Sequence, residues 1–294
     1  MTSIEQVVTR DWAIEFIKGP LSTVPELLEL YSSYPHDVMR ADLLRYLILW
    51  YYGGYYADTD VFPARTISSC PSLEPLFTPL SSSYRNRASL QPNISLVLGI
   101  EIDEPYASPT LMRDWHWSRN YGLIQYNMYA PRRFSPLLRR AIVRVLAHTK
   151  RHNSQRKTFF RPRYDEKTTL EVTGPGVFTD AILDVLSETL PHTHPLVETS
   201  VSADSGIGDL RSHADAVQRR VTWAAFHRLK HPLWIDASEA APRREMGGLL
   251  VLPVSVWGNG QRHSEAEWFD SPHACINHQF GRSWKKGWWE YFFG

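Results

Sequence analysis

Only two cysteines, Cys70 and Cys275, occur in 294 residues. That is too few for a disulfide scaffold, which is also usually far shorter. Read as two unpaired cysteines, they are compatible with a cytosolic chain. An excess of one charge is also missing: 32 basic against 31 acidic side chains leave a formal net charge of +1. This balance argues against a protein built around bulk nucleic-acid binding. Long apolar runs are absent. The strongest, Tyr46 to Tyr56, is about half of the roughly 20 residues a helix needs to cross a bilayer, and it contains Gly53 and Gly54. Met1 to Asp11 has no apolar h-region, so no signal peptide is visible. The chain therefore reads as soluble, starting in the cytosol. Repeats, low-complexity tracts and sharp composition shifts are lacking as well. The length suits one large domain or two small ones, and the reading is a single domain over 1–294.

What is there in quantity is aromatic: 11 Trp, 14 Tyr and 12 Phe make up 13% of the chain, within an apolar share of 43%. Such a load excludes disordered and collagen-like classes. Lysine is scarce, 7 residues against 25 arginines. Arginine is the better residue for bidentate contact with phosphate and for stacking on rings. Nine Lys or Arg and no acid lie between Arg139 and Arg163. This segment is either a solvated basic face or a peripheral contact for an anionic partner, such as a membrane surface or a phosphorylated acceptor.

Local signals outline the elements. Val24 to Tyr31 reads as a short helix with Pro25 in its first turn. Asp37 to Tyr52 reads as a longer one, capped by Asp37 and stopped by Gly53-Gly54. Leu43, Leu44, Leu47, Ile48 and Tyr51 recur at helical spacing, so one broad face is buried. Tyr55-Tyr56-Ala57, Ile94 to Ile102, Ile124 to Tyr129 and Leu249 to Val256 read as strands. Helices are expected from Ser135 to about Ala147 and from Gly174-Pro175-Gly176 to roughly Ser187, and a surface loop over Ser202 to Ser212. Strands alternating with helices predict an α/β fold with a mostly parallel central sheet.

The first residues suited to chemistry are Asp58 and Asp60. Carboxylates at i and i+2 point the same way on an extended segment and can ligate Mg²⁺ or Mn²⁺. The spacing alone is weak, because fifteen Asp in this chain give about one D-x-D by chance. Its place just past a strand is stronger, since α/β proteins bind ligands at the carboxyl ends of strands. Asp42 and Arg45 are neighbours on one helix surface, either an exposed ion pair or part of a site.

The segment Ala41-Asp42-Leu43-Leu44-Arg45-Tyr46, Leu49, Gly53-Gly54-Tyr55-Tyr56-Ala57-Asp58-Thr59-Asp60 resembles the DXD-containing sugar-binding region of family 32 glycosyltransferases. Val172-Thr173-Gly174-Pro175-Gly176 and Asp270-Ser271-Pro272, Asn277-His278-Gln279-Phe280, Ser283-Trp284-Lys285 are similar to blocks of one branch, the fungal initiation-specific α-1,6-mannosyltransferases. The resemblance covers about residues 10 to 290. It implies a GT-A fold and retaining, metal-dependent transfer of a hexose, most naturally mannose from GDP-mannose, onto a glycan hydroxyl. Mn²⁺ is the metal implied, with Mg²⁺ as the substitute.

The resemblance also implies roles. Asp60 would ligate the metal, Asp58 would bond the ribose or bridge to the metal, and His278 would be the third ligand. Asp42, Arg45, Gly54, Tyr55 and Asn127 would bind the donor, with Ser283 and Trp284 at its diphosphate. The resemblance also carries the expectation of attack on the same face as the leaving diphosphate; no residue marks a carboxylate nucleophile. The family's usual opening strand, of the type I-P-K-I-I-H-Q-T-W, is missing from MTSIEQVVTRDW, and Arg282 stands where the branch has glycine. The branch is anchored in the Golgi lumen, whereas this sequence shows no signal or anchor, which leaves a soluble, cytoplasmic chain or one missing its N-terminus. Two other readings follow: a non-catalytic nucleotide-sugar or glycan-binding relative, and a soluble transferase using a UDP-sugar on a small molecule. A nucleic-acid binder working through Arg139 to Arg163 is the weakest reading and predicts steep salt dependence.

Overall fold

The computed structural model describes residues 7–77, 92–115, 117–154, 164–204 and 219–279. Helices α1 (Arg10–Lys18), α2 (Glu26–Ser33) and α3 (Asp37–Tyr52) lead into strands β1 (Gly54–Ala57) and β2 (Val61–Pro63) and a short α4 (Glu74–Phe77). The long strand β3 (Leu96–Asp103) follows, then α5 (Pro109–Asp114), β4 (Tyr121–Leu123) and β5 (Asn127–Ala130). A helical run comes next: α6 (Pro136–Ser154), α7 (Glu166–Val172), α8 (Pro175–Thr189) and α9 (Pro195–Asp204). The chain then forms β6 (Leu233–Ile235), β7 (Leu249–Leu252), α10 (Val254–Trp257) and β8 (Ile276–His278).

The main sheet has the order β1-β5-β3-β7-β6, with β4 also paired to β3. This agrees with the α/β, GT-A-type expectation. The sheet is mixed, however, rather than mostly parallel: β3 and β7 run parallel, and β1/β5, β3/β4, β3/β5 and β6/β7 are antiparallel. Parallel neighbours need a long crossover. Helices α6 to α9 supply one between β5 and the strands that follow, whereas the connection over 104–120, which carries α5, turns back and brings β4 and β5 antiparallel beside β3. The strand expected over Ile124 to Tyr129 is part of that return.

Side chains alternate across the sheet and bury both faces. On β3, Leu96, Leu98 and Ile100 join the large core with α3, α6 and α8, while Val97 points into a second core with Leu250, Leu252 and Trp257. On β7, Leu249 and Val251 return to the large core. Gly248, just before β7, has φ +73°, and a Cβ there would stand 1.8 Å from the Asn93 carbonyl oxygen. Only glycine permits that approach.

Helix α3 is buried nearly all round: Met39, Asp42, Leu43, Leu44, Arg45, Tyr46, Leu47 and Leu49 are all inside. Gly53, at φ +69°, ends it as read from sequence. Asp37 is not its cap. It lies in the first turn and pairs with Arg40, while His36 at the cap position bonds the Tyr164 carbonyl through Nε2 (3.1 Å). A carboxylate in the first turn still suits the helix dipole.

Cys70 and Cys275 are joined as a disulfide, against the reading of two unpaired thiols. Pairing over a separation of 205 residues is set by tertiary structure alone. The basic segment also gains detail. Among its described residues, Arg140 pairs with Glu188, Arg144 with Asp180 and Asp184, and Lys150 with Glu26. Residues 155–163 of it lie outside the described residues, as do 205–212 of the expected surface loop. Among the described residues no helix is long and apolar enough to cross a membrane.

Candidate active site

The end of α3, the glycine pair and β1 deliver the Asp58-Thr59-Asp60 turn to the rim of a cleft of about 1320 Å³. The Asp58 N–H donates to the Tyr126 carbonyl (2.8 Å), and the Val61 N–H closes the turn on the Asp58 carbonyl (3.1 Å). Strand β2 then pairs with β8, placing Val61 opposite His278. The Gln279 N–H donates to the Asp60 carbonyl (3.0 Å), and His278 Nε2 lies 3.2 Å from Asp60 Oδ1. The His278 ring stacks on Tyr126 at 4.2 Å between centroids. Burial lowers the imidazole's pKa, opposed by the nearby Asp60 carboxylate.

Asp58 looks the other way. Its Oδ1 accepts from the Tyr56 hydroxyl (2.7 Å) and lies 3.3 Å from the Arg45 guanidinium. Arg45 lies also 3.3 Å from Asp42, and the two are 3% and 2% exposed, so the pair is interior rather than a surface ion pair. Asp42 accepts from Thr173 Oγ1 (2.8 Å) and Gln125 Nε2 (3.1 Å). Gln125 is itself held by the Tyr46 hydroxyl. Desolvation pushes the Asp42 carboxyl up to about 6, resisted by Arg45 and the Thr173 hydroxyl. Burial works against the Arg45 charge, but Tyr56, Asp58 and Asp42 outweigh it and the guanidinium stays charged. Its buried Nε–H has no acceptor within the described residues.

The cleft thus brings together Asp42, Arg45, Tyr55, Asp58, Asp60 and His278. Asn127 is wholly buried on β5 opposite Ala57 and does not line the cleft. Gly54 opens β1 at φ +88°, with open space where a Cβ would be. Ser283 and Trp284 lie outside the described residues. Among the described residues no group of three or more His, Cys, Asp or Glu is placed to hold a metal ion. Asp60 and His278 nevertheless converge on one point, and a carboxylate oxygen with an imidazole nitrogen is a donor set that suits Mn²⁺. Asp58 could join them only by turning away from Tyr56 and Arg45.

Several residues of the site carry little sequence signal of their own. Thr173, buried behind the cleft on Asp42, sits inside the Thr-Gly-Pro-Gly block. Gln125 and Tyr126 follow the buried return strand and carry no motif. Glu101 is the most informative: it faces the cleft from β3, and desolvation pushes its carboxyl up to about 7, moderated by Arg45. Its signal is an acid closing an apolar run, Ile94 to Ile100, with Asp103 and Glu104 just after it.

Residues 6–77 match the family described as a glycosyltransferase sugar-binding region containing a DXD motif, the family whose resemblance was read from Asp42 to Asp60. The chain is similar to the initiation-specific alpha-1,6-mannosyltransferase of Schizosaccharomyces pombe, 25% identical over 267 residues, covering 90% of this chain and 51% of that protein. It is similar to the protein of the same name from Candida albicans, 25% identical over 265 residues, covering 90% and 58%. A shorter stretch of 57 residues is 44% identical to inositol phosphoceramide mannosyltransferase 3 of S. pombe, covering 19% and 16%. The chain spans little more than half the length of the two longer-matching relatives.

Proposed function

We propose that this chain, similar over most of its length to α-1,6-mannosyltransferases, is a retaining glycosyltransferase. In this reading it moves mannose from GDP-mannose to a glycan hydroxyl with the help of a divalent cation, Mn²⁺ before Mg²⁺. The observation that carries the reading is the convergence of Asp60 and His278 at the mouth of a cleft whose wall holds the buried Asp42–Arg45 pair. Asp60 and His278 would hold the cation. When bound, it would supply Lewis-acid neutralisation of the charge that grows on a departing diphosphate.

The chain's own residues would do the rest. Arg45 would present a fixed guanidinium with an unused Nε–H to an anionic donor group, a positive charge aimed before the reaction rather than during it. Asp42, pinned by Thr173 and Gln125, fixes Arg45 in that orientation. Tyr56 and Arg45 hold Asp58 in place until the donor competes for it. Glu101 sits in the same cleft with a carboxyl poised near neutrality, suited to hold or take a proton at an incoming hydroxyl.

The buried disulfide favours an oxidising compartment such as the lumen of the secretory pathway over the cytosol. The test is turnover of GDP-mannose and UDP-sugars with and without Mn²⁺. Mn²⁺-dependent turnover lost in Asp60→Ala supports the reading, and full turnover in that variant refutes the cation site. One observation favours a non-catalytic binding relative: Asp58 is already engaged by Arg45 and Tyr56. Calorimetric binding of a nucleotide-sugar without turnover across donors and acceptors would decide for it.

A further inference from the structure

Beside the charged groups around Asp58, the cleft is also lined by a different chemistry. Trp115 ends α5, its N–H closing on the Leu111 carbonyl (3.0 Å), and the Trp117 N–H returns to the Met112 carbonyl (2.9 Å). These bonds set two indoles, two positions apart, into a stack with centroids 5.7 Å apart and planes 20° from parallel. His263 meets both edge-on, at 5.1 Å and 4.7 Å. All three rings line the cleft that holds Asp58, Asp60 and His278.

The support beneath them is built rather than loose. Gln261 Nε2 donates to the Glu101 carbonyl (2.5 Å), and the Asp103 N–H donates to Ser264 Oγ (2.8 Å). The Ser264 N–H donates to Glu104 Oε1 (2.8 Å), and His263 Nδ1 contacts Ser264 Oγ (2.9 Å). The loop bearing His263 is therefore bolted to β3 and its extension, and the rings are held before any ligand arrives. Such preorganisation reduces the ordering cost of binding.

We propose that Trp115, Trp117 and His263 form the acceptor subsite, a platform on which a neutral hexopyranose ring of the glycan stacks. The proposal rests on the transferase reading and names the substrate that reading leaves open. Three observations point to a neutral sugar. Indole faces match the apolar C–H face of a pyranose while leaving its hydroxyls free to bond polar neighbours. Burial pushes the His263 imidazole down to about 4, so the three rings carry no charge at neutral pH. The cleft, about 1320 Å³, also exceeds the roughly 300–1,000 Å³ of a site for one small ligand and leaves room for two.

The experiment uses the full chain and an α-1,6-linked mannotriose without nucleotide, followed by calorimetry and tryptophan fluorescence. Mannotriose is expected to bind and to change the tryptophan emission. Trp115→Ala and Trp117→Ala should each weaken binding about tenfold, equivalent to about 1.4 kcal/mol, while Trp115→Phe and Trp117→Phe retain most of it. GDP-mannose affinity, measured separately, reports whether the alanine variants remain folded. The proposal is overturned if mannotriose does not bind, if it binds parent and variants alike, or if the variants lose GDP-mannose as well while keeping native circular dichroism. Mannotriose bound at the platform with no nucleotide-sugar turned over would sink the transferase reading and leave the subsite standing. Turnover with unchanged mannotriose binding in the variants would do the reverse.

Discussion

Replacing both Cys70 and Cys275 by alanine cuts the covalent link between the segment after β2 and the strand that carries His278. The link joins positions 205 residues apart. If it acts by restricting the unfolded chain, loop-closure entropy for a span of that size is about −18 cal/mol/K, or about 5 kcal/mol at 25 °C. Native disulfides deliver up to that amount, so the double variant is expected to lose about 3–5 kcal/mol. At roughly 2 °C per kcal/mol for a chain of this size, Tm falls by about 6–10 °C. Both cysteines are buried, so reductant reaches the sulfurs only when the structure opens. Thermal unfolding of the double variant is therefore the cleaner assay than thiol added to the native protein. The Ala64 and Arg65 N–H groups still donate to the Cys275 carbonyl (2.9 and 3.4 Å), so the strand stays in place but is held less firmly. Mn²⁺ affinity at Asp60 and His278 should fall a few-fold rather than vanish. Two titratable thiols in the unreduced, denatured parent, or an unchanged Tm in the double variant, would refute the reasoning.

Further outcomes follow from the cleft. Asp42→Ala strands Arg45 with one partner and strips acceptors from Thr173 and Gln125, so urea unfolding should register a loss of about 3 kcal/mol, partly restored by adding Arg45→Met. His278→Ala should raise the Mn²⁺ concentration needed for half-maximal turnover at least tenfold while leaving the fold intact by circular dichroism. The Glu101 carboxyl is raised from 4.5 to about 7, so the native state binds a proton that the unfolded chain releases. Its contribution is full below pH 4.5 and is lost as pH rises through 7. Glu101→Gln removes that titration, so its urea midpoint should gain on the parent's between pH 4.5 and 7 and hold a constant difference above. A variant midpoint that falls relative to the parent's as pH rises would contradict the assignment.

What could be read from the sequence was what is local. The Leu43–Leu44–Leu47 spacing and the glycine pair located α3 and its end, Gly-Pro-Gly located the start of α8, and the apolar run located β3. Strand direction was not local: whether β5 runs with or against β3 depends on how the chain returns, which no residue type announces. The same is true of Cys70 and Cys275, which meet only because β2 and β8 pair. Within the site, Asp58, Asp60, Asp42 and Arg45 stood out because they cluster in one short stretch. Their burial did not, since an acid and an arginine three apart look alike on a wet helix and inside a core. Glu101 and the Trp115–Trp117 pair escaped notice because their meaning lies in what faces them across the cleft.

The pairing of β2 with β8 bears on when this protein can first act. Tyr56, Arg45 and Val61 hold Asp58 from nearby, but the other groups that steady the Asp58–Asp60 turn come from far downstream: the Tyr126 carbonyl, β5 beside β1, Thr173 on Asp42, Cys275 on Cys70 and His278 on Asp60. The matched stretch of residues 6–77 is therefore a signature and not a module. A ribosome that has released it has made the recognisable stretch without the downstream contacts that hold the turn. The turn acquires the last of these partners only after residue 278 has left the exit tunnel.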